Sequence, residues 1–526
     1  YGNSVRGKLL AVKIQHPYAK HMGSVCLILG ENLRLQYPSV KSCSVVESIT
    51  FEAGTPITEL GVYKHQPNDV FYGCNIFAGT TSLKSIELPS NLTMIGMNCF
   101  ENSGVAEIDL PSSVTHIGNR AFYECVNIVN PGLGANLMHL GDEAFCGCVS
   151  MENAELFPGL EYLGARAFAY CTSLKRAFIP ATVTSISGNP FMGCSGVEEF
   201  ELDADSTSFV MKDEVLYDKT MYTVLYYPAS LTAETFEFPE TVHAIGIGAF
   251  AGAQLKTITI PDRITSIPEY AFAASALENF TVHSGFTTIG AHAFEDCAQM
   301  NNVFIPNTLL NLGHYAFANC TGLDTIVFED VTENGTPYNI GSHLFDGCTA
   351  MTQVIVPNKM TYIDDGTSNY KKVSDEYACI PAYMFANTGI VNAVIPAQIT
   401  DLATEGVFAN CAQLETVAYE NMLLDSNNVG AKFFAGCTKI REIVIPLGVG
   451  TFSYGLGEYE GCTALEKITF YSGDELVYCN SPSFLNCPNL KVIELVYVED
   501  YETDENGKVT YTQTSQAHIA TFNGSF

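Results

Sequence analysis

Eighteen cysteines and eleven histidines are the side chains of this 526-residue chain best suited to metal or redox chemistry. Their spacing decides whether they can act. No C-x-x-C occurs, and the nearest cysteine pair is Cys146 and Cys148. Cys125, Cys148, Cys171, Cys194, Cys297, Cys320, Cys348, Cys411, Cys437, Cys462 and Cys487 each stand three residues after an aromatic residue of one recurring phrase. Thr80, Ser103, Ala253, Ser275 and Thr388 hold the same position in other copies. Equivalent atoms on neighbouring strands lie about 5 Å apart, whereas the two Cβ atoms of a disulfide want about 3.8 Å. The column therefore reads as buried small side chains, with free cysteine behaving as a small hydrophobe. His292, His314 and His343 precede three successive marker aromatics by two or three residues. They sit at variable turn positions and are not expected to form a metal site. Asp364 and Asp365 read as solvated charge, because no EF-hand or repeated Asp-rich loop accompanies them.

Motifs that organise catalysis are absent. The chain holds no H-E-x-x-H, G-x-S-x-G, G-x-x-x-x-G-K-[ST] or G-x-G-x-x-G. No enzyme activity and no cofactor are expected. The formal net charge of −32 repels phosphate backbones and anionic lipid, which argues against nucleic-acid or membrane-surface roles. No apolar run approaches the roughly 20 residues of a membrane span, so no transmembrane segment is expected. The sequence opens at Tyr1 rather than Met, and a secretory leader would belong to a segment preceding it.

The elements that hold these residues come from a repeat. Leu83-x-x-Ile86-x-Leu88-Pro89-x-x-Leu92-x-x-Ile95-Gly96 leads to Phe100, and Val105-x-x-Ile108-x-Leu110-Pro111-x-x-Val114-x-x-Ile117-Gly118 leads to Phe122. The marker aromatic recurs at Phe77, Phe100, Phe122, Phe145, Phe168, Phe191, Phe250, Phe272, Phe294, Phe317, Phe345, Phe385, Phe408, Phe434, Tyr459 and Phe484. Leu-x-x-Ile-x-Leu predicts a short strand with alternate residues buried. Proline after it ends the ladder. The following glycine predicts a sharp turn, and the Ala-Phe segment a short helical turn. Such coils bury their apolar sides only by stacking. The expected fold is an α/β solenoid: a right-handed coil of short parallel strands and short helical turns, with about sixteen repeats.

The phrase Ile-x-Leu-Pro-x-x-Val/Leu-Thr-x-Ile-Gly-x-x-Ala-Phe-x-x-Cys resembles the BspA-type (treponemal-type) leucine-rich repeats over roughly residues 46–495. Val210 to Pro228 is similar to a strand-turn-strand insert common in that family. The resemblance implies a secreted or surface-attached protein of host-associated bacteria or parasitic protists, with adhesion to host matrix proteins or another cell surface as its usual role. It carries over no catalytic residues. Ser187, Pro268 and Pro381 depart from it by replacing the turn glycine.

The expected organisation is an N-terminal cap over 1–45, the solenoid over 46–495 and a C-terminal β-hairpin cap over 496–526. A hairpin-like insert falls near 203–235 and a polar loop near 364–379. Arg6, Lys8, Lys13 and Lys20 make one end basic, while Glu499, Asp500, Glu502, Asp504 and Glu505 make the other acidic. Opposite charge at opposite ends suits head-to-tail contact, and a contact that does not close yields a filament. The strand residue before the last aliphatic should face solvent. It is Glu87, Asp109, Glu155 and Glu201 early, with Phe178 interrupting, and later Phe304, Val327, Ile355, Val394, Ala418 and Val444. Phe304, Val327, Ile355, Val394 and Val444 are thus the candidate contacts for a protein ligand. Sequons at Asn91, Asn279, Asn319, Asn334 and Asn523 would matter in a eukaryotic secretory pathway. Two functions remain: extracellular adhesion through the sheet face, or a subunit that polymerises end to end.

Overall fold

Alternating burial along each repeat builds two strands and a ribbon of turns. The computed structural model describes residues 9–15, 25–28, 34–35, 46–51, 57–65, 70–73, 75–281, 283–332, 335–357, 359–362, 379–402, 404–426, 429–449, 457–473, 481–504 and 509–521. Loop residues Asp364 and Asp365, and the sequon residues Asn334 and Asn523, lie outside them. The chain divides into one unit of residues 1–232 and 239–254 and a second of residues 233–238 and 255–526. Counted over both, the fold is a parallel-strand β-solenoid of about sixteen turns.

Most coils contribute a strand from the Leu-x-x-Ile-x-Leu phrase, a second, shorter one before the glycine, or both. In the first unit, Ser85–Glu87 and Glu107–Ile108 pair in parallel, with Ile86 opposite Ile108. The second strands Met94–Ile95, His116–Ile117, His139–Leu140 and Tyr162–Leu163 form their own parallel ladder. In the second unit, Thr257–Thr259, Asn279–Thr281, Asn302–Ile305 and Thr325–Phe328 form one sheet. Ser266–Ile267, Thr288–Ile289, Asn311–Leu312, Tyr338–Ile340 and Met360–Tyr362 form another. Between the two strands the proline carbonyl accepts the amide three residues on, as from Val114 to Pro111 at 2.9 Å.

The Ala-Phe segment is not helical. Among the described residues the only helix is a 3-10 turn at Ser481–Phe484. The reason lies in the backbone. Residues two before and two after most marker aromatics are left-handed, as at Arg120 (φ 54°) and Glu124 (φ 55°) around Phe122; Asn189 before Phe191 and Pro482 before Phe484 are the exceptions. Alternating handedness prevents a helical rise. Alternate amides then bond to the next coil, as from Phe122 N to Ala144 O at 2.7 Å and Glu124 N to Cys146 O at 2.7 Å.

The marker aromatics stack in the interior. Phe77, Phe100, Phe122, Phe145, Phe168 and Phe191 follow one another at 4.9–5.8 Å between ring centres. In the second unit Phe272 begins a run through Phe294, Phe317, Phe345, Phe385, Phe408, Phe434, Tyr459 and Phe484 at 5.3–6.1 Å. Phe345 stacks directly on Phe385, so the long intervening segment leaves the column unbroken.

Beside each aromatic, the cysteine column is buried and its thiols are free. The structure adds a reason for cysteine. Each thiol donates to the carbonyl of the preceding coil's marker aromatic, as from Cys148 Sγ to Phe122 O and Cys171 Sγ to Phe145 O, both 3.2 Å. Thr80 and Thr388 instead bond the carbonyl of their own aromatic at 2.7 Å.

The glycine after the second strand serves a purpose other than a left-handed turn. A Cβ on Gly141 would lie 2.5 Å from Asn119 N, and one on Gly313 would lie 2.3 Å from Ala291 N. Close approach of successive coils excludes a side chain there.

The insert is a three-stranded antiparallel meander of Phe209–Lys212, Val215–Asp218 and Thr223–Tyr226. Its last strand pairs in parallel with Ala244–Ile245. Tyr227 stacks on Phe250 at 5.4 Å, in the manner of a marker aromatic. In the N-terminal region, Leu9–Gln15 pairs antiparallel with both Val25–Ile28 and Ser48–Thr50. The last two strands, Val492–Thr503 and Val509–Thr521, pair antiparallel and run longer than the sequence implied. Tyr511 from the second hydrogen-bonds Met422 O and takes a bond from Leu447 N at 2.8 Å.

Candidate binding faces

The outward residues of the first strands divide by unit. In the first unit Glu87, Asp109, Glu155 and Glu201 are exposed, and Phe178 is half-buried. In the second unit Phe304, Val327 and Val394 are 42%, 48% and 47% exposed. Ile355 and Val444 are half-buried. The candidates do not form one unbroken stripe. Phe304 lies opposite Val327 in parallel register, whereas Val394 lies opposite Ala418 in a separate two-stranded sheet. Val444 lies opposite Thr469 and borders an open groove of about 770 Å³ with Val417, Arg441 and Glu442. Ile355 belongs to no strand.

A polar column accompanies the apolar one. Asn302 Nδ2 donates to Asn279 Oδ1 at 2.9 Å, and Thr416 Oγ1 to Asn392 Oδ1 at 2.6 Å. These side chains satisfy one another across coils, which leaves the apolar neighbours as the groups with unspent contact surface.

The left-handed position two before the marker aromatic carries a second kind of surface. In the first unit it is an ion ladder. Glu143 binds Arg120 at 2.8 Å and Arg166 at 2.6 Å, and Arg120 also binds Glu101 at 2.7 Å. In the second unit it is a stack of half-buried rings: Tyr270, His292, Tyr315, His343 and Tyr383. Their centres are 4.3–4.9 Å apart and their planes within 12° of parallel. His292 Nδ1 lies 2.9 Å from Glu295 Oε2, and His343 Nδ1 lies 2.7 Å from Asp346 Oδ2. Tyr383 donates to Glu405 at 2.5 Å, and burial with this bond pushes its hydroxyl well above the usual tyrosine range. The histidine positions are therefore separated by tyrosine rings, and His314 turns away to Ser342 at 2.9 Å. Sequence reading missed this column because it followed histidines rather than the shared offset from the marker.

Among the described residues the cysteines are buried, apart from the half-buried Cys379. Burial pushes the thiols of Cys125, Cys194 and Cys348 up to about 12. Among the described residues no three His, Cys, Asp or Glu side chains gather as a metal site. No helix among them is long and apolar enough to cross a membrane.

Of the end-to-end candidates, Arg6, Lys8, Lys20 and Glu505 lie outside the described residues. Lys13 is in the strand Leu9–Gln15, whose side chains are likewise outside them. Glu499, Asp500, Glu502 and Asp504 are exposed.

Comparison with known proteins follows the repeat. The chain is similar to a leucine-rich repeat protein from Eubacterium ventriosum, at 18% identity over 88% of this chain and 94% of that one, with a TM-score of 0.37. It is similar to a leucine rich cell surface protein from Faecalibacterium prausnitzii, at 21% identity over 71% of this chain and 91% of that one, with a TM-score of 0.36. A leucine-rich repeat protein from Bacteroides ovatus shares 19% identity over 92% of both chains, with a TM-score of 0.30. No curated protein matches. The BspA type leucine rich repeat region matches residues 70–198, 221–338, 328–375, 338–456 and 378–502, and the chain belongs to that family.

Proposed function

We propose that this protein is a non-catalytic scaffold that works outside the cell and captures a protein ligand on the outward sheet face of its second unit. The observation that carries the reading is the Phe304–Val327 pair. Two large apolar side chains stand side by side in register, each more than two-fifths exposed, on a rigid ladder. Exposed apolar groups on an ordered frame contribute contact surface at little conformational cost. Family membership supports a protein-binding role. Host matrix protein or another cell surface is the ligand class to test.

Matrix preparations and whole cells, each immobilised, would capture the wild-type chain. The triple variant Phe304→Ser, Val327→Ser and Val394→Ser should lose capture by at least tenfold, since buried interface anchors are each worth about 1–2 kcal/mol. Its circular dichroism should match wild type. Unchanged capture by the folded variant would remove this reading.

A second reading is end-to-end assembly. It is favoured by the exposed carboxylates Glu499, Asp500, Glu502 and Asp504 and by the strand Val509–Thr521, which ends its sheet among the described residues. Electron microscopy at low salt separates the two: fibres support assembly, and single particles at high concentration count against it.

A further inference from the structure

We infer that an open groove in the first unit binds arginine side chains of a basic partner segment. The groove has a volume of about 520 Å³ and is lined by Glu155, Phe157, Arg176, Phe178 and Glu201, among others. It lies on the outward face of the strands Arg176–Ile179 and Glu199–Leu202.

The register sets the chemistry. Phe178 lies opposite Glu201, and Glu155 holds the same repeat position on the preceding coil. One half-buried aromatic ring is thus flanked along the stack by Glu201, about 5 Å away in strand spacing, and by Glu155 on a preceding segment that forms no strand. The ring packs on the core beneath it, which fixes its place.

Arg176, one column over, shows that the groove accepts a guanidinium. Its Nη2 lies 2.6 Å from Glu201 Oε2, and its Nε lies 3.6 Å from Glu199 Oε2. Glu201 is thereby engaged. Glu155 is exposed and makes no hydrogen bond or close ion pair among the described residues, and Arg176 feels its charge only at longer range than those of Glu201 and Glu199. The vacant position lies over Phe178 on the Glu155 side. A planar cation there gains a ring face and a carboxylate that makes no close ion pair. Arginine suits it better than lysine, because guanidinium stacks and bonds in one plane. The net charge of −32 draws basic partners toward the surface but does not select the groove.

The test uses the full chain and a fluorescein-labelled peptide of alternating glycine and arginine, read by anisotropy in dilute salt. Matching lysine and citrulline peptides serve as comparisons. Phe178→Ala, which changes no charge, should weaken the arginine peptide roughly five- to tenfold. Glu155→Gln should weaken it similarly, while Glu107→Gln, an equal charge change elsewhere on the same face, should leave it within twofold. Arg176→Gln frees Glu201 and should tighten binding, whereas Lys439→Gln should not. The arginine peptide should bind better than the lysine peptide and far better than citrulline. The inference is overturned if no peptide binds. It is also overturned if Phe178→Ala and Glu155→Gln behave as wild type, or if Glu107→Gln and Lys439→Gln match the groove variants. Loss of matrix capture with peptide binding intact would affect only the sheet-face proposal for the second unit.

Discussion

Two glycines six residues apart should respond to alanine in the opposite order to that suggested by backbone angle. Gly147 is left-handed, at φ 75°, and Gly141 is not. A Cβ on Gly147 would approach Glu124 Cγ at 3.1 Å, the flexible part of an exposed side chain. Left-handed backbone costs a non-glycine residue about 1–2 kcal/mol. Loss of glycine's freedom in the unfolded chain offsets about 0.4–1 of that. Gly147→Ala should therefore cost about 1 kcal/mol. At Gly141 the added carbon would meet Asn119 N at 2.5 Å and Gly118 C at 2.6 Å. Both are backbone atoms of the preceding coil, so the coils must part by roughly an ångström, an overpacking strain of about 1–3 kcal/mol. That movement also stretches the bond from Gly141 N to Ile117 O, now 2.8 Å, which adds about 1 kcal/mol. The same unfolded-chain offset applies here, so Gly141→Ala should cost about 2.5 kcal/mol. Native-state amide exchange over residues 137–148 measures both. A gap of about 1.5 kcal/mol is roughly a tenfold difference in opening. Equal costs, or a larger cost at Gly147, would refute the claim that coil contact fixes the repeat glycine.

Two further outcomes follow from the ladders. The buried thiols of Cys125, Cys194 and Cys348 stay protonated in the fold to about 12, against an ordinary value of 9.0. Above pH 9 the unfolded chain releases these protons first, so stability is intact below pH 9 and falls toward pH 12, by about 1.4 kcal/mol per pH unit for each thiol. Urea titrations between pH 8 and 11 should show a shallower fall for the double variant Cys125→Ser, Cys194→Ser, and an unchanged slope would refute this. In the ring stack, Tyr315 sits 4.9 Å from His292 and 4.3 Å from His343. Tyr315→Ala should cost about 2 kcal/mol in urea denaturation, while Tyr315→His, which keeps a ring there, should cost under about 1. Equal losses would show that stacking is not what the position contributes.

Much of the architecture was legible because the repeat is written in side-chain volume and polarity. The period set by Phe100, Phe122 and Phe145 located the interior column, and the small residues three positions later located the thiol column. The turn segment was harder to read. Ala-Phe looks like helix by propensity, and only the left-handed residues on either side show otherwise. Asn102, Gly147, Gly193 and Asn319 at the later of those positions were the available signal. Tyr227 was illegible as a marker because it sits at the end of an insert rather than in a repeat.

The candidate faces were legible only as a list of outward residues. Strand alternation placed Phe304, Val327 and Val394 in solvent correctly. It could not say that Val394 belongs to a different sheet from Phe304, since the sheet divisions depend on which coils stay in register. Nor could it find the ring stack, whose members lie 22 to 40 residues apart in sequence and meet only when coils superpose.

The sequence by itself determined the coil, its interior columns and the acidic surface, because each depends on residue type at a fixed offset. Tertiary structure alone decided which outward residues become neighbours, why glycine is required at Gly141, and how Glu155, Phe178 and Arg176 come to share a groove. Those outcomes rest on distances between coils, and a one-dimensional pattern carries spacing along the chain but not across it.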